Sequence, residues 1–141
     1  MITIEERIKE LKRRGFKMTP QRRAIIEALH DDTSHPTAED VYNKVKKSMP
    51  DISLATVYNT LELLHKIGGI LKLEVIGGKA HYDPFTKPHI HLVCTMCGRI
   101  VDVDKPIPEM HLTQGESKGF KVQGYNIVFY GICPDCQRKM N

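Results

Sequence analysis

The stretch SLATVYNTLELLHKIGGILKLEVIGGKAHYD, residues 53–83, carries two periodicities in succession. Ser53, shortly after Pro50, reads as the start of a helix on which Leu54, Val57, Leu61 and Leu64 recur at helical spacing, with Gly68-Gly69 as the stop. The period then changes. Leu71, Leu73 and Val75 alternate with Lys72, Glu74 and Ile76, Gly77-Gly78 follows, and Lys79-Ala-His-Tyr82 resumes as a second strand. Alternation, a glycine pair and renewed alternation predict a β-hairpin.

Upstream, the chain reads as three further helices. Ile4, Ile8 and Leu11 share one stripe over residues 4–14, ended at Gly15. Thr19-Pro20 starts a second helix with Ala24, Ile25, Ala28 and Leu29 on its apolar face. Thr37 caps a third, with Asp40 in the reciprocal capping position and Val41 and Val45 pointing inward. Helices closed by a hairpin describe a winged helix-turn-helix, in which the helix before the hairpin is the recognition helix. Downstream, Thr86-Lys87-Pro88 is a candidate hinge. Short strands are predicted over 90–94, 99–103 and 120–131, with a short helix near 108–117. The expected class is α+β.

Composition narrows the function. The chain has 141 residues, 40% apolar and 6% aromatic, without Trp, so a small domain within it would have a thin core in need of a staple. A formal charge of +4 permits a nucleic-acid partner. Residues 1–20 are charged and show no apolar targeting segment, and no run is long enough to span a membrane, so a cytoplasmic protein is expected. In that compartment four cysteines argue for metal rather than disulfides.

Those cysteines form two CxxC pairs, Cys94/Cys97 and Cys133/Cys136. Four thiolates satisfy tetrahedral zinc and leave no open position, so the site reads as structural. A redox dithiol would explain one pair and leave the other idle. His89-Ile-His91 lies just before the first pair; on a strand, residues two apart share a face, so both imidazoles can reach one ion. Asp83, Asp102 and His35 are further candidate ligands, a set suited to Fe(II), Mn(II) or Zn(II). An exposed polar strand face is the alternative. His30, His65, His81 and His111 read as solvated, with His81 near enough to be a stray ligand.

On the predicted recognition helix, Ala55, Thr56, Asn59 and Glu62 face away from the apolar stripe and Tyr58 sits at its boundary. Asn can bond adenine bidentately, and Thr or Ala methyls can meet thymine. Lys12, Arg13, Arg14, Lys17, Arg22 and Arg23 form a basic cluster suited to phosphates. Solvated helix faces are the bland alternative.

Taken in order, these motifs resemble the ferric-uptake-regulator (Fur) family of metal-dependent repressors over essentially the whole chain. The matching stretches are Met18-Thr-Pro-Gln-Arg22, His35-Pro-Thr-Ala-Glu-Asp40 and Ser53-Leu-Ala-Thr-Val-Tyr58. They continue with His89-x-His91-x-x-Cys94-x-x-Cys97-Gly98-x-x-x-Asp102, Gly119-Phe120 and Tyr130-Gly-Ile-Cys133-x-x-Cys136. The resemblance implies a winged-helix DNA-binding domain over 1–83, a hinge over 84–88, and a small α/β dimerisation domain over 89–141 stapled by the four-cysteine zinc. It implies a homodimer on a palindromic, A/T-rich double-stranded operator, contacted through Arg22, Ser53, Thr56, Tyr58 and Asn59. It also implies a regulatory Fe(II) or Mn(II) bound by His35, Asp83, His89, His91 and Asp102, which fixes the angle between the domains.

Within the family, Asn59 and Asp102 look like the peroxide-response regulators, and Tyr125, Pro88 and Ile90 stand where a third metal site would need ligands. That branch implies that peroxide oxidises a ligand histidine, His35 or His89, and releases repression. Repression by iron or zinc without peroxide sensing is the alternative. A non-haem iron oxygenase needs an open coordination position and a substrate pocket, and a zinc-ribbon interaction module needs no DNA surface. Neither an enzyme nor an organic substrate is therefore expected.

Overall fold

The computed structural model describes residues 2–74 and 78–140. The chain separates into two compact units, Met1–Thr86 and Lys87–Asn141. The first contains helices α1 (Ile4–Arg13), α2 (Pro20–Leu29), α3 (Ala38–Val45) and α4 (Leu54–Lys66), followed by strands β1 (Leu71–Glu74) and β2 (Ala80–Asp83). The second contains β3 (Ile90–Cys94), β4 (Ile100–Val103), β5 (Ile127–Gly131) and a short α5 (Pro134–Lys139). No helix among the described residues is long and apolar enough to cross a membrane.

Each helix of the first unit begins at a side chain that accepts from its first turn: Thr3, Thr19, Thr37 and Ser53. Thr3 with Glu6 and Thr37 with Asp40 close reciprocal capping boxes. The apolar stripes then meet in one core. Ile25, Val57 and Leu61 are completely buried, and Ile8, Leu11, Ile26, Val41 and Leu64 pack around them. Gly68 and Gly69 end α4 for two different reasons. Gly68 has φ of +77°, and a side chain at Gly69 would collide with Leu11. Arg14 donates to the carbonyls of Ile67 and Gly68, so α1 satisfies the C-terminal end of α4. Strands β1 and β2 pair antiparallel with Lys72 opposite Tyr82. Of the predicted alternation and Gly77-Gly78 turn, Val75, Ile76 and Gly77 lie outside the described residues.

In the second unit the strand order is β4-β3-β5, with β3 antiparallel to β4 and parallel to β5. Two expectations fail here. The strand predicted over 120–131 is confined to Ile127–Gly131, because only that stretch pairs with β3. No helix forms near 108–117. Thr113 and Glu116 do exchange capping hydrogen bonds, but Lys118 and Gly119 adopt φ of +51° and +80° and turn the chain away after one turn. Helix α5 was not anticipated; Pro134 opens it directly after Cys133.

Candidate metal centres and nucleic-acid interface

Strand β3 ends at Cys94, and the knuckle that follows returns on Gly98, whose N–H donates to the Cys94 carbonyl at 2.9 Å with φ of +78°. Parallel β5 delivers Cys133 beside it, and α5 presents Cys136 one turn later. The four sulfurs lie within 4.8 Å of one another, with Cys97 Sγ to Cys133 Sγ at 3.8 Å. A zinc tetrahedron with Zn–S near 2.3 Å has edges of about 3.8 Å. Backbone N–H groups of Cys133 and Cys97 aim at the Cys94 sulfur and hold its thiol down to about 6. Cys136 is pushed up to about 12, first by its hydrogen bond to Cys133 and then by burial. One sulfur favours its anion while the last resists a further negative charge, an arrangement that a bound dication resolves. The donor set fits zinc.

The second unit also gathers His89, His91 and Asp102. His91 and Asp102 are register partners across β3 and β4. His89 Nε2 and His91 Nε2 each lie 3.4 Å from Asp102 Oδ1. Their other ring nitrogens are committed: His89 Nδ1 donates to the Lys87 carbonyl at 2.8 Å, and His91 Nδ1 to Asn126 Oδ1 at 3.0 Å. Since a carbonyl oxygen only accepts, Nδ1 carries a proton in each ring, and both Nε2 atoms face the carboxylate. Two imidazole nitrogens and a carboxylate oxygen brought together, with each ring held by an acceptor at its other nitrogen, have the geometry of metal ligands. Asn126, which orients the fully buried His91, was missed from the sequence; its position follows from the parallel pairing of β5.

In the first unit, His35 and Asp83 are both buried, with His35 Nε2 3.6 Å from Asp83 Oδ2. His35 takes φ of +55°, a conformation a non-glycine residue holds only when its surroundings impose it. The loop around it runs along β2: His81 Nδ1 donates to the His35 carbonyl at 2.6 Å, the Tyr82 N–H donates to Pro36 at 2.9 Å, and Thr37 bridges to His81. His81 thus holds the loop with Nδ1. Asp83 Oδ1 accepts from the Phe85 N–H, which leaves Oδ2 toward the imidazole.

On α4, Ala55, Tyr58, Asn59 and Glu62 are exposed, while Thr56 is half-buried and shares a 2.9 Å hydrogen bond with Ser53. The Tyr58 hydroxyl donates to Glu39 of α3 at 3.0 Å, and this bond raises the phenol's pKa. Arg22 is half-buried, donates to the Lys17 carbonyl at 2.7 Å and lies over the Phe16 ring. Of the basic cluster, Arg13 pairs with Glu10, Arg14 with the end of α4, and Arg23 with Glu5 and Glu27.

The Ferric uptake regulator family model matches residues 13–130. The peroxide operon regulator of Bacillus subtilis strain 168 is 36% identical over 139 residues, covering 98% of this chain and 96% of that one. A Streptococcus pyogenes structure described as the basis for peroxide sensing and gene regulation by PerR aligns with a TM-score of 0.55 at 31% identity, over 97% of this chain and 95% of that one. The Helicobacter pylori ferric uptake regulator aligns with a TM-score of 0.73 over 96% of this chain and 95% of that one; at 22% identity this likeness shows the fold alone.

Proposed function

The chain belongs to the ferric uptake regulator family, and within it we propose a cytoplasmic, dimeric, metal-dependent DNA-binding repressor that senses hydrogen peroxide. The observation that carries the reading is the convergence of two imidazole Nε2 atoms on Asp102 Oδ1, with each ring fixed by a second hydrogen bond. Such a set is built for an ion. The likeness of 36% to a peroxide operon regulator, over 98% of this chain, favours peroxide as the signal.

The proposed regulatory ligands are His35 and Asp83 from the first unit and His89, His91 and Asp102 from the second, with residues 84–88 as the hinge. Fe(II) held there would activate hydrogen peroxide so that one of its oxygens is inserted at a ring C–H of His35 or His89 and the other leaves as water. The chain's own residues do the rest. His91 and Asn126 orient the ligand face, and His81 and Tyr82 fix the loop that carries His35. Ligands drawn from both units restrict the hinge, and losing one ligand relaxes it. Cys94, Cys97, Cys133 and Cys136 would hold a structural zinc.

Operator contact is assigned to Ser53, Thr56, Tyr58 and Asn59 of α4 and to Arg22, on a palindromic, A/T-rich double-stranded site. Ser53 and Thr56 bond each other and Arg22 is anchored on Phe16, so these three present prepositioned groups rather than mobile ones.

The test compares operator binding by the Fe(II)- and Mn(II)-loaded protein before and after a brief peroxide pulse, handled without oxygen. The Fe(II) form is expected to release DNA and gain one oxygen atom on a peptide containing His35 or His89, while the Mn(II) form does neither. If both forms bind and neither responds, the peroxide reading is overturned and metal-responsive repression stands in its place.

A further inference from the structure

The side chain of Tyr82 is buried, and three segments of the first unit meet on it. Its N–H donates to the Pro36 carbonyl at 2.9 Å, next to His35. Its hydroxyl donates to Glu62 Oε1 of α4 at 2.9 Å. Lys72, its partner across the hairpin, reaches the same Glu62 oxygen at 2.9 Å. Asp83 follows it in the chain, with Oδ2 3.6 Å from His35 Nε2. One residue therefore joins the backbone carrying two proposed ligands to the helix proposed to read the operator.

We propose that Tyr82 is a positioning residue that couples ion binding at His35 and Asp83 to operator recognition by α4, through its hydroxyl on Glu62. The inference rests on the reading of a metal-dependent repressor given above. It adds a route inside the first unit to the restriction of the hinge. The physical reason is rigidity. With its backbone N–H bonded to Pro36 and its buried ring closely packed and bonded through the hydroxyl to Glu62, Tyr82 passes a displacement of the His35 loop against β2 on to Glu62.

Linkage makes the proposal measurable. If ion and operator are coupled through this contact, removing it lowers the gain in operator affinity caused by the ion, and lowers the gain in ion affinity caused by the operator by the same factor. The experiment measures operator affinity of the protein with saturating Mn(II) and without it, for the natural sequence, Tyr82→Phe, Glu62→Ala and the double variant. Mn(II) affinity is measured with and without operator. In Tyr82→Phe the Mn(II)-induced gain is expected to fall on the order of five-fold. Glu62→Ala should fall similarly, and the double variant no further, since both substitutions break one contact.

A second readout needs no metal. Amide exchange at Tyr82 and in the C-terminal half of α4 should quicken in both single variants, while the melting transition stays cooperative. A natural protein with strong metal dependence, whose variants lose operator affinity equally with and without Mn(II), overturns the coupling and leaves Tyr82 a packing residue. A natural protein with no metal dependence overturns the underlying reading and the coupling with it. Glu62→Ala keeps the Tyr82 ring in place, so the comparison stands even if Tyr82→Phe folds poorly.

Discussion

At the scale of single residues, the metal chemistry was the most legible part of the sequence. Two CxxC pairs point to zinc through side-chain type and spacing alone, whereas the HxH left an exposed polar strand face open and drew its proposed ion from the resemblance. The partners that orient those ligands were not legible. Asn126 supports His91 only because β5 runs parallel to β3, and nothing in the residues near 126 announces that pairing. Asn126→Leu removes the acceptor for His91 Nδ1, and a second partner of this kind is worth about 10- to 100-fold in metal affinity. A fluorescence-competition titration with Mn(II) should therefore show that loss with zinc content unchanged. Cys133→Ser removes one of four thiolates from the cluster. Its zinc content, measured by atomic absorption, should drop, and its melting transition should broaden and shift down. A variant that keeps both would remove the structural role assigned to the cluster.

At the scale of elements, caps and apolar periodicity located α1 to α4, because each of these helices is closed locally and packed by one stripe. Residues 108–117 misled for the same reason. Thr113 and Glu116 supply a real cap, but Lys118 and Gly119 stop it after one turn, and an exposed segment has no stripe to prolong it. Helix α5 is short and lacks a side-chain cap, so it left no signal beyond Pro134. Leu61 is completely buried in the core, and Leu61→Ala should cost about 2–5 kcal/mol in denaturant unfolding. Ser53→Ala removes the cap of α4 and should cost about 1 kcal/mol.

Glu62 gives the pH dependence of the helix–hairpin contact. Its pKa is lowered, first by the hydrogen bond from Lys72 and also by the one from Tyr82. A depressed carboxylate contributes stability that is complete above its unfolded value, near 4.3, and is lost as the pH falls through the lower folded one. The carboxylate is about half exposed, at 48%, so the contribution stays below about 1 kcal/mol. The difference in melting temperature between the natural sequence and Glu62→Gln should shrink as the pH drops below about 4.

At the scale of the whole molecule, a family of DNA-binding repressors sets the remaining expectations. Operator affinity should fall steeply with salt, as phosphate contacts release counterions. A flat response in a titration from low to moderate salt would contradict a phosphate-contacting surface. The second unit carries an exposed apolar row on which the proposed dimer would close. Leu92, Val101 and Phe129 form one row across β4-β3-β5, exposed by 43%, 36% and 54%. Such a row is costly to leave in water, and Phe129→Lys should shift the sedimentation of the protein toward monomer. The parallel pairing of β3 with β5 also sets a schedule for biosynthesis. Cys97 leaves the ribosome 36 residues before Cys133, an interval of about 2–7 s at ordinary elongation rates. During it the first unit can fold, while Cys94 and Cys97 wait as an exposed dithiol. Zinc delivery and protection from oxidants therefore matter most to the nascent chain, before the last strand arrives to close the cluster.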